Sequence, residues 1–243
     1  MSEKYDEIVA KHYWAYRPPL HEIILARVLS KNDLFENGLD IGSGTGYSSV
    51  ALAHYCNQVI GVEPSISMLE KAVPNKKIKY LHGYGTSLPA SISEVNIVTF
   101  AGSLFYTKSQ DLIQELKKVC LDQSTIVVYD FMVLIEEVLE YLGIELKKVS
   151  DYDHEINFDD CLDFTKIITS KEQILLSISV SQLAHVLLGD SQIYALFAHK
   201  YGIVDPYTQI LEKFDSQEQL LSLKVNIYFS KYLLNQPIKD NEN

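Results

Sequence analysis

The amino-acid sequence predicts an α/β fold built on a mostly parallel sheet, and three observations lead to this prediction. Strand-like and helix-like segments alternate in the first half of the chain, a glycine-rich turn follows the first strand, and no internal repeat interrupts the pattern. The chain has 243 residues, of which 47% are hydrophobic, so it can bury a sizeable core. We expect one continuous domain over residues 1–243.

Residues 1–35 are expected to form helices ahead of the sheet. Apolar and aromatic residues recur at helical spacing over residues 2–15, and Pro18-Pro19 separates this segment from a second helix at 20–29. Asn37-Gly38 then turns the chain into the first strand.

Residues 36–131 are expected to form the ligand-binding core. Strands are predicted at 38–41, 58–62, 78–82, 96–101 and 125–131, and helices at 47–55, 65–73 and 110–120. Ligands of such sheets bind beyond the carboxyl ends of the strands. The loops that follow Ile41, Val62, His82 and Phe100 are therefore where chemistry is expected.

The pattern changes over residues 132–233. A helix at 132–142, strands near 164–169 and 173–179, two or three helices within 181–214 and a last strand at 221–233 are predicted. The insertion at 181–214 is longer than a simple sheet needs, so it is either a lid or substrate-recognition segment or a plain packing layer. Residues 234–243 are predicted to be a polar tail.

Charge and cysteine content exclude several classes of function. The formal net charge of -11 argues against a nucleic-acid partner, because an acidic surface repels phosphates. Three scattered cysteines indicate reduced core thiols, and neither they nor the histidines show the spacing of a metal site. Because the sequence shows no secretory signal and no bilayer-spanning run, we expect no membrane partner and a cytoplasmic location.

The run LDIGSGTG carries the main functional signal. Gly42, Gly44 and Gly46 allow unusual backbone dihedrals and the close approach of a ligand. A dinucleotide site would place its third glycine at position 47, where this chain has Tyr47, which argues against an NAD-dependent dehydrogenase. Asp40, just ahead of the turn, would repel a pyrophosphate and suit a ligand with positive charge.

Glu63 ends the next strand at the distance along the chain that a ribose contact requires. A carboxylate in this place can accept both hydroxyl hydrogens of a ribose diol. Together with the glycine turn and Asp40, it describes a nucleoside with a cationic, phosphate-free arm. S-adenosylmethionine fits this description.

The segments LDIGSGTG, GVEPSISMLEKA and GYGTSLP, in this order, resemble the class I S-adenosylmethionine-dependent methyltransferases, and most nearly the small-molecule branch called type 11. YRPPL at 16–20 is similar to a run that often precedes that core. The resemblance covers residues 13–130. It implies a Rossmann-like, seven-stranded, mostly parallel sheet with antiparallel late strands, an N-terminal helical lid and a C-terminal helical insertion.

The resemblance also implies which residues hold S-adenosylmethionine. These are Asp40, Gly42, Gly44, Gly46, Glu63, Met68, Gly85, Thr86 and Ala101. The three glycines of the turn would line the methionine part, Asp40 would reach its ammonium directly or through water, and Glu63 would hold the ribose.

The remaining implied contacts concern the adenine and the methyl group. Met68 would lie against the adenine face, although a methionine at this spacing is equally typical of a helix core. Gly85 and Thr86 would meet the adenine edge, and the backbone at 101–103 would lie beside the methyl group. Thr86 and Asn96 stand where the family commonly has acidic residues.

No catalytic residue is identified from the sequence. Tyr106 and His185 are candidates for a base, with a packing tyrosine and a satisfied core histidine as the alternatives. Tyr13, Tyr16 and Arg17 are candidates for a lid over the cofactor and substrate, or for a helix end packed on the sheet.

The predicted function is methyl transfer from S-adenosylmethionine to an oxygen, nitrogen or carbon atom of a small molecule. Since the sulfonium already activates the donor, holding the acceptor in line with the methyl group supplies much of the rate, and a base is not required. A non-catalytic S-adenosylmethionine-binding module and a methyltransferase that acts on a protein are the alternatives.

Overall fold

The structure is a computed structural model that describes residues 3–145 and 151–235, and it gives only the backbone for residues 3–6 and 14. The chain divides into two compact units. The first comprises residues 1–19, 132–151 and 173–226, and the second comprises residues 20–131, 152–172 and 227–243. The single-domain organisation expected from the sequence stays a prediction.

Seven strands form one sheet. They are β1 (Phe35–Ile41), β2 (Cys56–Glu63), β3 (Ile78–His82), β4 (Val95–Ala101), β5 (Cys120–Val133), β6 (Phe164–Ser179) and β7 (Leu220–Leu234). The strand order is β3-β2-β1-β4-β5-β7-β6. The pairs β1–β2, β1–β4, β2–β3 and β4–β5 are parallel, and the late strands are antiparallel. The α/β, Rossmann-like fold class is thereby confirmed.

Helices connect the strands. They are α1 (Glu3–Ala15), α2 (Leu20–Val28), α3 (Tyr47–Leu52), α4 (Ile66–Leu69), α5 (Leu104–Thr107), α6 (Gln110–Val119), α7 (Glu136–Tyr141), α8 (Val180–Leu188), α9 (Ser191–Tyr201) and α10 (Tyr207–Leu211). No helix in the described part of the chain is both long and apolar enough to cross a bilayer.

In the second unit, the buried face of α6 forms part of the hydrophobic core. Leu112 and Leu116 recur at i, i+4 on one face of this helix, and both are fully buried in a cluster that includes Phe100 and Val128. Ser109 caps the helix by accepting a hydrogen bond from the Leu112 N–H. The apolar stripe therefore fixes α6 on the sheet and holds the loop after β4 in place.

Strand order reverses between β2 and β4, which both pair with β1. Loops that leave the carboxyl ends of β1 and β4 therefore run in opposite directions and open a crevice. The glycine turn follows β1 at this point, so the sheet itself determines where the site lies.

The first unit contains the insertion at 181–214. Its helices α8 and α9 pack against α1, and α10 packs against α8. Ser179 begins α8 with a reciprocal capping box with Gln182, and Gly202 ends α9 in the left-handed conformation. These contacts are those of a packing layer, and a lid role for the insertion stays a prediction.

Two element predictions were wrong. The predicted helix at 132–142 begins only at Glu136, because the chain continues as strand to Val133 and the Leu134 N–H still donates to the Lys224 carbonyl. The two strands predicted near 164–169 and 173–179 are one strand, β6. At the C-terminus, β7 extends to Leu234, and residues 236–243 of the predicted polar tail lie outside the described residues.

Candidate active site

The turn after β1 contains three positions whose backbone conformation favours glycine. Gly42, Gly44 and Gly46 have φ values of +74°, +54° and +87°. A Cβ on Gly46 would stand 2.2 Å from the Tyr80 hydroxyl oxygen. The Gly42 N–H donates to the Val62 carbonyl at 2.8 Å, which ties the turn to β2.

Asp40 lies beneath this turn and not in the cavity. Its carboxylate accepts hydrogen bonds from Ser48 and Ser49 of α3, both at 2.6 Å, and from Thr99 of β4 at 2.9 Å. Burial raises the pKa of Asp40, and these three hydroxyls oppose the rise. In this structure Asp40 joins the start of α3 to the neighbouring strand, so we do not propose a direct contact with a ligand.

Glu63 is held at the carboxyl end of β2 with 6% of its surface exposed. One carboxylate oxygen accepts the Gly44 N–H at 2.9 Å, and the other accepts the Ser65 N–H at 3.0 Å. Each carboxylate oxygen has two lone pairs, so both retain capacity for a further donor. The carboxylate is thus fixed in place and still able to accept hydrogen bonds from two adjacent hydroxyls.

A cavity of about 370 Å³ opens at the carboxyl ends of β1, β2 and β4. The residues singled out from the sequence that line it are Gly42, Gly44, Glu63, Met68, Gly85, Thr86, Ala101, Gly102, Ser103 and Tyr106. Lining residues that the sequence analysis missed are Ile41, Val62, Pro64, Tyr84 and Thr107. Gly46 and Asp40 are not among the lining residues.

The cavity fits a nucleoside ligand. Its volume falls within the range of small-molecule sites, of the order of 300–1,000 Å³. A Cβ on Gly44 would lie 3.8 Å from the Met68 sulfur, so a side chain there would take up space between the turn and this methionine. One fixed carboxylate within mainly apolar walls is the arrangement that binds a diol and a flat base.

The two candidate bases lie in different places. Tyr106 is on α5, lines the cavity and has 75% of its surface exposed. His185 lies in the first compact unit, on α8, where its Nδ1 is 2.9 Å from Nδ1 of His12. A role of either residue as a base stays a prediction.

The candidate lid residues Tyr13, Tyr16 and Arg17 also belong to the first unit. The Arg17 guanidinium lies over the Tyr13 ring, 3.9 Å from its centroid. A lid role for these residues stays a prediction. In the described residues no group of three or more His, Cys, Asp and Glu side chains is arranged to hold a metal ion.

The sequence analysis missed three polar residues that form a hydrogen-bonded group attached to Gly102. The Tyr152 hydroxyl donates to the carbonyl of Gly102, a cavity residue, at 2.7 Å, and it also contacts Asp130, which joins it to His154. Asp130 offered a signal, since it lies near the end of a parallel strand as Asp40 and Glu63 do. Tyr152 and His154 are in a loop without a motif, and only the folded chain brings them to β5.

Comparison with known proteins identifies a methyltransferase domain. Residues 39–128 match the family model described as a methyltransferase domain. A curated protein of Dictyostelium discoideum, named as a candidate methyltransferase, is 26% identical over 127 residues, which are 51% of this chain and 47% of that protein. The match thus spans about half the length of the curated relative.

Two solved structures share the fold. One, described as a candidate type II methyltransferase from Anaeromyxobacter dehalogenans, has a TM-score of 0.64 and 15% identity over 91% of this chain and 100% of that one. The other, the cyclase SpnF, has a TM-score of 0.52 and 13% identity over 90% of this chain and 82% of that one. At these identities the likeness shows the fold alone, and the name of the second structure illustrates that one fold can host different reactions.

The matched residues contain every residue that the resemblance assigned to S-adenosylmethionine. They begin at Leu39, just before the glycine turn, and end at Val128 on β5, so they include Glu63 and the cavity wall at 101–103. The strand order and the cavity at the carboxyl ends of the strands agree with this match. Residues 39–128 are therefore similar to a methyltransferase domain, and the fold around them is the Rossmann-like methyltransferase fold.

Proposed function

We propose that the protein transfers a methyl group from S-adenosylmethionine to an atom of a small molecule. The observation that carries this proposal is the carboxylate of Glu63, which the glycine turn holds at the edge of a cavity sized for a nucleoside. A buried carboxylate is costly unless it is hydrogen-bonded, and here its remaining lone pairs suit the ribose diol.

Different residues of the cavity would bind different parts of S-adenosylmethionine. Glu63 would accept the two ribose hydroxyls, and the turn at Gly42 and Gly44 would let the methionine part approach the backbone. Met68 and Thr86 would cover the adenine from the cavity walls. S-adenosylmethionine, when bound, supplies a methyl group on a positively charged sulfur, so the chain's main task is to orient the acceptor and exclude water.

A small-molecule acceptor is favoured over a nucleic acid. The net charge of -11 opposes a phosphate backbone. Tyr106 lines the cavity, and the rings of Phe105 and Tyr152 pack next to it; aromatic side chains are common in small-molecule sites.

Calorimetric titration with S-adenosylmethionine and S-adenosylhomocysteine tests the proposal. For the unmodified protein we expect dissociation constants in the micromolar range, which correspond to a binding free energy of about -8 kcal/mol. Glu63→Gln replaces one acceptor oxygen by a donor and should weaken both ligands about tenfold or more. Glu36→Gln is the matched control, because Glu36 is exposed at the opposite end of β1.

The outcome is decisive in either direction. Micromolar binding that is weakened in Glu63→Gln and unchanged in Glu36→Gln supports the cofactor site. Absence of binding to both ligands would contradict the proposal, and equal affinities in the two variants would show that Glu63 does not contact the ribose.

A further inference from the structure

Asp130 lies next to a residue of the cavity wall. It follows Tyr129 on β5, and Tyr129 is the register partner of Ala101 on the parallel strand β4. Gly102, which lines the cavity, is therefore the neighbour of Asp130 across the two strands. A Cβ built on Gly102 would stand 3.2 Å from a carboxylate oxygen of Asp130. The carboxylate is thus in contact with the backbone that closes this side of the cavity.

Hydrogen bonds hold the Asp130 carboxylate in this place. One of its oxygens accepts the Phe131 N–H at 2.7 Å. The other oxygen lies 2.9 Å from both the Tyr152 hydroxyl and Nδ1 of His154. Only 16% of the Asp130 side chain is exposed, and a carboxylate that has lost so much of its hydration needs such hydrogen bonds. Asp130 is therefore a carboxylate in a fixed position.

Tyr152 connects this carboxylate to the cavity wall. Its hydroxyl oxygen lies 2.7 Å from the Gly102 carbonyl oxygen and 2.9 Å from the Asp130 carboxylate. Burial, and after it the nearby Asp130 carboxylate, raise the pKa of Tyr152 strongly, so the phenol keeps its proton at neutral pH. Tyr152 thus fixes Gly102 and Asp130 relative to each other and adds no charge of its own.

The charges around the cavity are negative. In the described part of the chain, the residues that line the cavity include one carboxylate, that of Glu63, and no lysine, arginine or histidine. Asp130 adds a second carboxylate next to Gly102, on another part of the wall. A site with this arrangement of charge favours a ligand that carries a positive charge over a neutral ligand of the same shape.

The groups on the other side of Asp130 add little positive charge. Lys171 lies over the ring of Tyr228, which stacks on His154, but Lys171 is paired with Glu155, so this pair has no net charge. His154 contacts Asp130 directly, and an imidazolium there would offset the carboxylate. The titrations below are therefore made at about pH 8, above the ordinary range in which imidazoles become protonated.

We propose that Asp130 is a specificity-determining residue, which makes the cavity favour the positively charged sulfonium of S-adenosylmethionine over the neutral sulfur of S-adenosylhomocysteine. This inference rests on the proposed methyl transfer. The charge of Asp130 acts across Gly102 because a partly buried charge is only weakly screened over a few ångströms. Glu63 does not provide this distinction, since the ribose that it would hold is the same in both ligands.

This preference has a consequence for turnover. An electron pair of the acceptor forms the new bond to the methyl carbon, the bond from that carbon to sulfur breaks, and its electron pair stays on sulfur. The sulfur thereby loses its positive charge, and the attraction to Asp130 ends. Asp130 therefore favours the exchange of the used ligand for S-adenosylmethionine.

Calorimetric titration of Asp130→Asn with both ligands tests the inference. Asparagine has nearly the same shape without the charge, and its amide oxygen can still accept the Phe131 N–H. We expect S-adenosylmethionine to bind about fivefold more weakly than to the unmodified protein, and the affinity for S-adenosylhomocysteine to stay within about twofold. The readout is the dissociation constant of S-adenosylhomocysteine divided by that of S-adenosylmethionine, because a general loss of structure would weaken both ligands.

Three further variants complete the test. Asp111→Asn removes the same charge from an exposed position of α6 and should leave the ratio unchanged. Asp130→Glu keeps the charge beside Gly102, so its ratio should stay near that of the unmodified protein. If the melting temperature shows that Asp130→Asn is not folded, Asp130→Ser replaces it, since its hydroxyl oxygen is an uncharged acceptor.

The outcomes separate this inference from the proposed function. If neither ligand binds the unmodified protein, the proposed function fails and this inference fails with it. If both ligands bind and Asp130→Asn weakens them equally or not at all, Asp130 does not select the sulfonium, although the cofactor site stands. If Asp111→Asn lowers the ratio as much as Asp130→Asn does, the net charge of the protein sets the preference, and the position of Asp130 does not.

Discussion

Gly42 and Ser103 approach so closely that a Cβ built on the glycine would stand 2.4 Å from Cβ of the serine. The turn after β1 and the loop after β4 therefore touch at the point where strand order reverses. The Ser103 hydroxyl also donates to the Ile41 carbonyl, which fastens the two loops together. This contact between two lining residues helps to fix the shape of the cavity.

Gly42→Ala should be more damaging than an ordinary glycine substitution. It adds the left-handed strain of φ +74°, about 1–2 kcal/mol, to a clash with the Cβ of Ser103. Gly202→Ala has the same kind of strain at φ +64° with no atom within 4 Å, so it isolates the first contribution. Urea unfolding should show a larger loss of stability for Gly42→Ala, and equal losses would mean that the contact with Ser103 relaxes freely.

The core beneath α6 gives a second prediction. Leu116 is fully buried in the cluster with Phe100 and Val128, so Leu116→Ala should lower the free energy of unfolding by about 2–5 kcal/mol. Leu162→Ala removes the same atoms from a side chain that is 97% exposed, and it should change stability by less than about 0.5 kcal/mol. Chemical unfolding of both variants measures the difference, and a small loss for Leu116→Ala would contradict its place in the core.

The sequence singled out many of the residues that line the cavity because their signals are local. The glycines must sit where the backbone turns, and Glu63 follows at the end of the next strand, so spacing along the chain is enough to find them. The same reasoning placed β1 to β5 correctly, since alternating strands and helices have few alternative topologies.

Spacing along the chain could not reveal the group formed by Asp130, Tyr152 and His154, because its members are distant in sequence. His154 and Tyr152 meet Asp130 more than twenty positions away, and no periodicity reports such a contact. Asp40 shows the opposite case. Its position along the chain predicted a ligand contact, but its carboxylate accepts hydrogen bonds from three hydroxyls that the sequence does not single out.

Thiol reactivity tests the burial of the cysteines. Burial raises the pKa of Cys56 and of Cys120 to about 12. Burial and the neighbouring Asp160 also raise the pKa of Cys161, but this thiol is partly exposed and therefore accessible to a reagent. An alkylating reagent at about pH 8 should modify Cys161 in the folded protein, and all three cysteines only in denaturant. Mass spectrometry of digested protein locates the label, and rapid modification of Cys56 without denaturant would show that its strand opens.

The first compact unit contains a pair of histidines whose protons can be assigned. His12 Nε2 lies 3.3 Å from an Asp205 oxygen, and because the carboxylate accepts, this nitrogen carries a proton. Nδ1 of neutral His12 is then an acceptor, and Nδ1–H of His185 donates to it at 2.9 Å. Tyr207 stacks against both rings.

This pair should make the first unit sensitive to acid. Burial lowers the pKa of both histidines below 6.5, and for His185 the neighbouring His12 adds to the effect, while Asp205 opposes it and Lys11 supports it. A lowered pKa means that the folded state favours the neutral rings. The stability they contribute is present above about pH 6.5 and is lost as the pH falls through their folded-state values.

His185→Phe is the variant that tests this dependence. It retains a ring against Tyr207 and removes one titrating group, so the fall in melting temperature between about pH 7 and pH 5 should be smaller than in the unmodified protein. His199→Phe, at an exposed position, should leave the dependence unchanged. Removal of one half-buried neutral imidazole must remove its share of the proton uptake on unfolding. A variant that loses stability as steeply as the unmodified protein would therefore show that the acid sensitivity arises elsewhere.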